Sequence, residues 1–124
     1  MPFFDKEQID QAAYEDLYGG IGEISYKDFF VGKSNLPIRF QIWTIPPGGS
    51  EGEHSHEGAE NLEEIYYVIE GTAEVQLPGG NKLISAGEAM LTGPNEPHGI
   101  INAGTDTLKL VVIYGKATGP HVPV

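Results

Sequence analysis

The chain has 124 residues, 40% of them hydrophobic, enough for one domain with a filled core. Its net charge of -11 argues against nucleic acid, whose phosphates are met by Lys and Arg, and against docking on an anionic membrane. With no cysteine it can form neither a disulfide nor a thiolate metal site, so any metal has to be held by imidazole and carboxylate.

No apolar run approaches the ~18 residues of a membrane span. Met1 to Lys6 lacks the charged-then-apolar layout of a signal peptide, so the expected compartment is the cytoplasm. Asp5 as N-cap with Gln8 three residues on, then Ile9, Ala13 and Leu17 at helical spacing, predicts a short helix over 6–18. Gly19-Gly20 supplies its stop. The segment 1–21 is expected to lay this helix over an open end or edge of a sheet, or to take part in a dimer contact.

From Gly22 onward, short β-branched and aromatic runs alternate with turn formers, which is the texture of an all-β domain. Strands are expected over 24–31, 39–45, 64–70, 72–77, 82–85, 89–92, 98–102 and 107–114. Gly71 reads as the turn of a hairpin-like pair between 64–70 and 72–77. The strand at 107–114 is the most apolar and is expected to be central. A barrel over 22–114 follows, with 115–124 as a C-terminal surface arm carrying His121.

The chemistry concentrates in Gly48-Gly-Ser-Glu-Gly-Glu-His54-Ser-His56, in Glu64 to Gly71, and at Pro97-His98. Two histidines two apart on a strand point to one face, the spacing needed to grip one ion. Glu64, Tyr66 and Val68 share a face of one strand; His98, Ile100 and Asn102 share a face of another. An imidazole turned toward an apolar interior needs a partner, and a metal supplies one.

At these residues the chain resembles the cupin superfamily, in particular its small single-domain, conserved-barrel members. The first motif of that superfamily runs Gly, five residues, His-x-His, three or four residues, Glu, six residues, Gly; Gly48, His54, His56, Glu64 and Gly71 match it. The second runs Gly, five residues, Pro-x-Gly, two residues, His, three residues, Asn; Gly87, His98 and Asn102 match it. Two departures stand out. Seven residues, 57–63, separate His56 from Glu64, and Gly93 and Asn95 stand where Pro and Gly are usual. Glu60 fits the short spacing from His56, whereas Glu64 fits the spacing to Gly71. Glu64 is preferred because a loop absorbs inserted residues while a strand cannot shift register without turning its side chains over.

The resemblance implies a single cupin β-barrel, a double-stranded β-helix or jelly roll. It implies one divalent transition metal ion (Fe, Mn, Ni, Zn or Co) on His54, His56, Glu64 and His98, with Glu60 as the rival carboxylate. It implies positions open to a small-molecule substrate, and a homodimer. The activity expected is that of a metal-dependent enzyme on a small oxygen-bearing molecule, of dioxygenase, decarboxylase, isomerase or lyase type. One alternative is a metal- or ligand-binding sensor without turnover. Another is a sugar-handling cupin without essential metal, with His98 as base.

Arg39, the single arginine, alternates with Gln41 and Trp43 on one strand face. If that face is interior, Arg39 clamps a substrate carboxylate or phosphate, Gln41 orients it and Trp43 stacks on it. If it is exterior, Arg39 pairs with one of the many acids. Tyr66 and Arg39 are the candidate catalytic groups, the plainer reading of Tyr66 being a core or rim tyrosine. Glu51, Glu53, Glu57 and Glu60 read as a solvated acidic lip beside the histidines.

Overall fold

Residues 62–70 alternate between core and outside: Glu64, Tyr66 and Val68 are buried, while Ile65, Tyr67 and Ile69 are exposed. That is the two-residue period of a pleated strand covered on one face. In the computed structural model, which describes residues 1–56 and 61–118, the same logic runs through ten strands. They are β1 (Ala12–Glu15), β2 (Glu23–Asp28), β3 (Ile38–Ile45), β4 (Ser50–His54), β5 (Leu62–Glu70), β6 (Thr72–Gln76), β7 (Lys82–Ser85), β8 (Ala89–Thr92), β9 (His98–Asn102) and β10 (Leu108–Lys116).

The strands form two antiparallel sheets, one ordered β1-β2-β3-β10-β5-β8 and the other β4-β9-β6-β7. Inward side chains fill the space between them. Ile24, Ile45, Val68, Leu110 and Val112 come from the larger sheet, and Ala73, Val75, Ile84 and Ile100 from the smaller. Each large apolar side chain so buried contributes about 1.5–3 kcal/mol. The architecture is the all-β jelly-roll barrel expected, and β10 is central in its sheet between β3 and β5. Among the described residues no helix is long and apolar enough to cross a membrane.

The N-terminal helix expected over 6–18 does not form. Residues 12–15 pair as β1 with β2 in the register Ala12↔Tyr26 to Glu15↔Glu23, and a single 3-10 turn follows at Leu17–Gly19. Asp5, the expected cap, instead holds the Lys27 ammonium at 2.9 Å and accepts the Phe30 N–H at 3.1 Å. Tyr14 stacks on Tyr26 with ring centroids 4.1 Å apart and meets Trp43 edge-on. A short helix is marginal on its own, and strand pairing with aromatic packing outweighs its local propensity.

The expected pairing of 64–70 with 72–77 also fails: β5 belongs to the larger sheet and β6 to the smaller, where it lies between β9 and β7. Gly71 is the corner at which the chain changes sheets. Its φ is +87°, and a Cβ there would lie 2.6 Å from the Thr107 carbonyl oxygen. Gly71→Ala therefore combines a left-handed backbone with a backbone clash and is expected to cost about 2–4 kcal/mol. A thermal melting midpoint equal to wild type would contradict this.

Candidate metal centre

β4, the loop that leaves it, β5 and β9 bring His54, His56, Glu64 and His98 together, with one ligand atom of each within 4.8 Å of all the others. Parity explains two of the four. Glu64 lies on the buried face of β5, and His98, fully buried, opens β9 on its inner face. His54 closes β4, and His56 lies just past it, not within one strand as expected. Their rings nevertheless converge, with centroids 4.9 Å apart and nearly perpendicular.

The imidazoles are oriented by their outer nitrogens. His54 Nδ1–H donates to the Gly52 carbonyl at 2.9 Å, and His98 Nδ1–H donates to the Glu96 carbonyl at 2.8 Å. Both Nε2 atoms are thereby turned inward. Such backbone anchors fix the tautomer that a metal requires. His56 Nε2 lies 2.6 Å and His98 Nε2 3.4 Å from Glu64 Oε1. His54 Nε2 is buried and has no hydrogen-bond partner among the described residues. A buried, orphaned nitrogen beside two further imidazoles and a carboxylate fits a divalent ion, since each group is then satisfied by one centre.

Electrostatics agree with this convergence. Burial pushes the His54 imidazole below its ordinary pKa. Burial alone would raise the Glu64 carboxyl, but the His98 and His56 rings outweigh it and hold the carboxyl below its usual value. Burial likewise opposes the charged form of His98, and the hydrogen bonds to Glu64 and the Glu96 carbonyl outweigh it and lift that pKa.

Glu51 departs from its expected place on a solvated lip. It is 1% exposed, with Oε1 3.2 Å from Tyr66 Oη and Oε2 3.8 Å from His54 Nε2. Burial, and then the nearby Glu64 charge, push its pKa up to about 8. The cause is a β-bulge. Glu51 pairs with Ile100 and His54 with His98, so β4 spends one residue more than β9 over this stretch. Two residues three apart therefore both face inward. Sequence parity cannot show this, because the bulge is a property of the pairing.

Tyr66, fully buried, stands between Glu51 and His98, with Oη 3.1 Å from His98 Nε2. Burial, and then the Glu51 charge, raise its phenol well above its ordinary pKa. Trp43 and Gln41 are both buried, and the indole N–H donates to Gln41 Oε1 at 2.8 Å. Trp43 reaches the cavity beside the metal group, and Gln41 sits behind it. Arg39 stays away. Its side chain is 51% exposed and lies 3.6 Å from Asp28 Oδ2, four residues (~13 Å of strand) along β3 from Trp43. It borders a second hollow with Phe29, Phe30 and Pro37. Glu60, Glu57 and His121 lie outside the described residues.

The ligand group opens onto a cavity of about 220 Å³ whose walls include Tyr14, Tyr18, Trp43, Glu51, His56 and Glu64. Tyr18 stacks on the His54 ring with centroids 3.6 Å apart and planes 7° apart, and meets His56 edge-on. The turn carrying it seats backbone to backbone on β4. A Cβ at Gly52 would lie 2.0 Å from the Tyr18 carbonyl oxygen, and one at Gly20 2.1 Å from that of Ser50. Tyr14 and Tyr18 fall in the segment expected to be helical. Only the pairing of β1 with β2 reveals that they line the site.

Comparison with known proteins agrees with this architecture. An "Oxalate-binding protein" of Thermotoga maritima is 31% identical over 111 residues, covering 86% of this chain and 87% of the relative. A crystal structure from the same organism, described as a predicted oxalate decarboxylase, superposes with a TM-score of 0.77 at 28% identity, covering 89% of this chain and 95% of the other. A Cupin 2 conserved barrel domain protein from Salinispora arenicola shares the fold with a TM-score of 0.73 at 18% identity, covering 94% of this chain and 90% of the other. The family model described as Cupin domain matches residues 41–114, from Gln41 on β3 to Tyr114 on β10, and the chain therefore belongs to the cupin family.

Proposed function

We propose that this chain is a divalent-metal-dependent cupin that binds and transforms a small oxygen-bearing molecule, with His54, His56, Glu64 and His98 as the metal ligands. The observation that carries the reading is the convergence of these four ligand atoms around an otherwise unsatisfied His54 Nε2. When bound, the ion supplies Lewis acidity to a chelating oxygen. The chain's own part is to hold the His54 and His98 imidazoles in fixed tautomers and to exclude bulk water with Tyr18, Trp43 and Tyr114. It also keeps the Tyr66 hydroxyl next to His98 and Glu51, within reach of a shared proton. The oxalate-binding relative supports a small, oxygen-rich ligand. The cavity of about 220 Å³ has room for few heavy atoms.

The relative's name also favours a second reading, in which the protein binds such a ligand without turnover. Elemental analysis of purified protein, followed by a screen of hydroxy, oxo and enol acids with and without O2, separates the two. The expected result is near-stoichiometric transition metal, lost on acidification as the ligands protonate, and product formation that stops on chelation. Tight binding without product establishes the second reading. Activity that survives chelation overturns the metal-dependent one.

A further inference from the structure

The hollow that Arg39 borders has a volume of about 420 Å³, within the size range of small-molecule sites. It opens between the loop 29–37, which joins β2 to β3, and the adjoining ends of β5 and β10. Phe29, Phe30, Leu36, Ile38 and Leu62 give it apolar walls. Leu36 is 66% and Ile38 42% exposed, so these side chains face open space and not a core. In a chain of net charge -11, Arg39 is the single charged side chain among the described walls.

The loop is held in shape. Phe30 has a φ of +56°, a left-handed conformation that a bulky side chain adopts only when its surroundings impose it. Asp5 accepts the Phe30 N–H at 3.1 Å, and the Phe30 carbonyl accepts the N–H groups of Lys33 and Ser34 at 3.0 and 3.1 Å. The polar end is a cross-strand pair. Arg39 and Tyr114 lie opposite each other in the ladder of β3 with β10, so both side chains leave the sheet on the same side. Asp28 Oδ2 is 3.6 Å from the guanidinium, longer than the ~2.7–3.2 Å of an N–H···O hydrogen bond, which leaves the fork of N–H donors for another acceptor. Burial holds the Tyr114 phenol above its ordinary pKa, so it too is a donor.

Apolar walls ending in a guanidinium and a phenol match a ligand with the same division. A plain hydrocarbon leaves the donors unused, and a small polar acid leaves the walls uncovered. We propose that this hollow is a second binding site, for a small apolar monocarboxylate such as an aryl-alkanoic acid. Arg39 and Tyr114 hold the carboxylate, and the hydrocarbon part lies on Phe30, Leu36 and Ile38. The site adjoins the metal cavity across Leu62 and Tyr114, which line both, but it contains none of the four proposed metal ligands and does not rest on the metal-centre reading.

Hydrocinnamate and its neutral amide test the point, because they share a skeleton and differ by one charge. The purified protein is titrated with each by calorimetry, with and without a chelator. The expected result is that hydrocinnamate binds about tenfold tighter than the amide and that chelation changes neither affinity. Arg39→Gln is expected to weaken hydrocinnamate about tenfold and to leave the amide unchanged. Leu36→Asp, at an exposed wall position that folding tolerates, is expected to weaken both about tenfold. Failure of the wild-type protein to bind hydrocinnamate overturns the proposal. So do equal affinities for acid and amide, or an affinity that either variant leaves unchanged. Binding that disappears on chelation also overturns it, by placing the acid on the metal, and leaves the metal centre standing. Should Arg39→Gln fail to fold, the acid-to-amide comparison and Leu36→Asp still decide.

Discussion

Replacing His98 by alanine is expected to lower metal affinity by about 100-fold or more and to leave the purified protein nearly metal-free by elemental analysis. His98 is fully buried, and its Nε2 lies 3.4 Å from Glu64 Oε1 at the heart of the group. The loss also strips Tyr66 Oη of a partner at 3.1 Å, which costs about 1–3 kcal/mol of folding stability. That penalty makes a second variant useful. Glu64→Gln approaches the same centre from the opposite sheet, keeps the side-chain shape and replaces a carboxylate by a weak ligand. It too is expected to lose metal. Full occupancy in both folded variants would remove these residues from the coordination sphere. Occupancy kept in Glu64→Gln but lost in Glu60→Gln would transfer the carboxylate role to Glu60.

The second large effect is expected from a residue with no functional group. In Gly52→Ala the new methyl would sit 2.0 Å from the Tyr18 carbonyl oxygen and 2.7 Å from its carbon, both backbone atoms. No rotamer can relieve this, so the turn at 17–19 has to lift from β4. Tyr18 then leaves the His54 ring, and Leu17 and Tyr18 leave the cavity wall. The expected cost is about 2–4 kcal/mol, read as a melting midpoint roughly 10 °C lower. Faster limited proteolysis around Gly20 should accompany it. Gly79→Ala is the control, since nothing lies within 4 Å of a Cβ there, and it should change stability by less than about 0.5 kcal/mol. Equal melting of wild type and Gly52→Ala would mean that the turn is not seated as described.

Where a strand keeps its period and one face is buried, side-chain direction follows from counting. That is why Glu64 with Tyr66, and His98 with Ile100, could be placed on inner faces from their neighbours alone. The residues that escaped depend on partners distant in the chain. Asp5 and Gln8 look like a capping pair, yet Lys27 claims Asp5 and β2 claims residues 12–15. Gly71 looks like a hairpin turn, yet jelly-roll connectivity sends β6 to the other sheet. Glu51 looks like one acid among several, yet the bulge turns it inward. Arg39 has the inward parity of Gln41 and Trp43, but it stands at the end of β3, where an inward-facing position is already outside the barrel. Local pattern carries the face of a residue. Pairing decides how deep it lies and what it meets.

Glu64 reaches the centre from the larger sheet, whereas His54 and His98 reach it from the smaller. An ion held by all of them is a rivet through both layers at one rim of the barrel, whereas at the far end of β9 the layers are tied by the Asn102 amide, which donates to the Ile45 carbonyl at 2.9 Å. Metal-loaded and stripped preparations of one sequence would then be mechanically different objects, alike in outline but free to gape to different extents at that rim. Metal content therefore has to be specified whenever amide exchange or protease resistance is compared between batches of this protein.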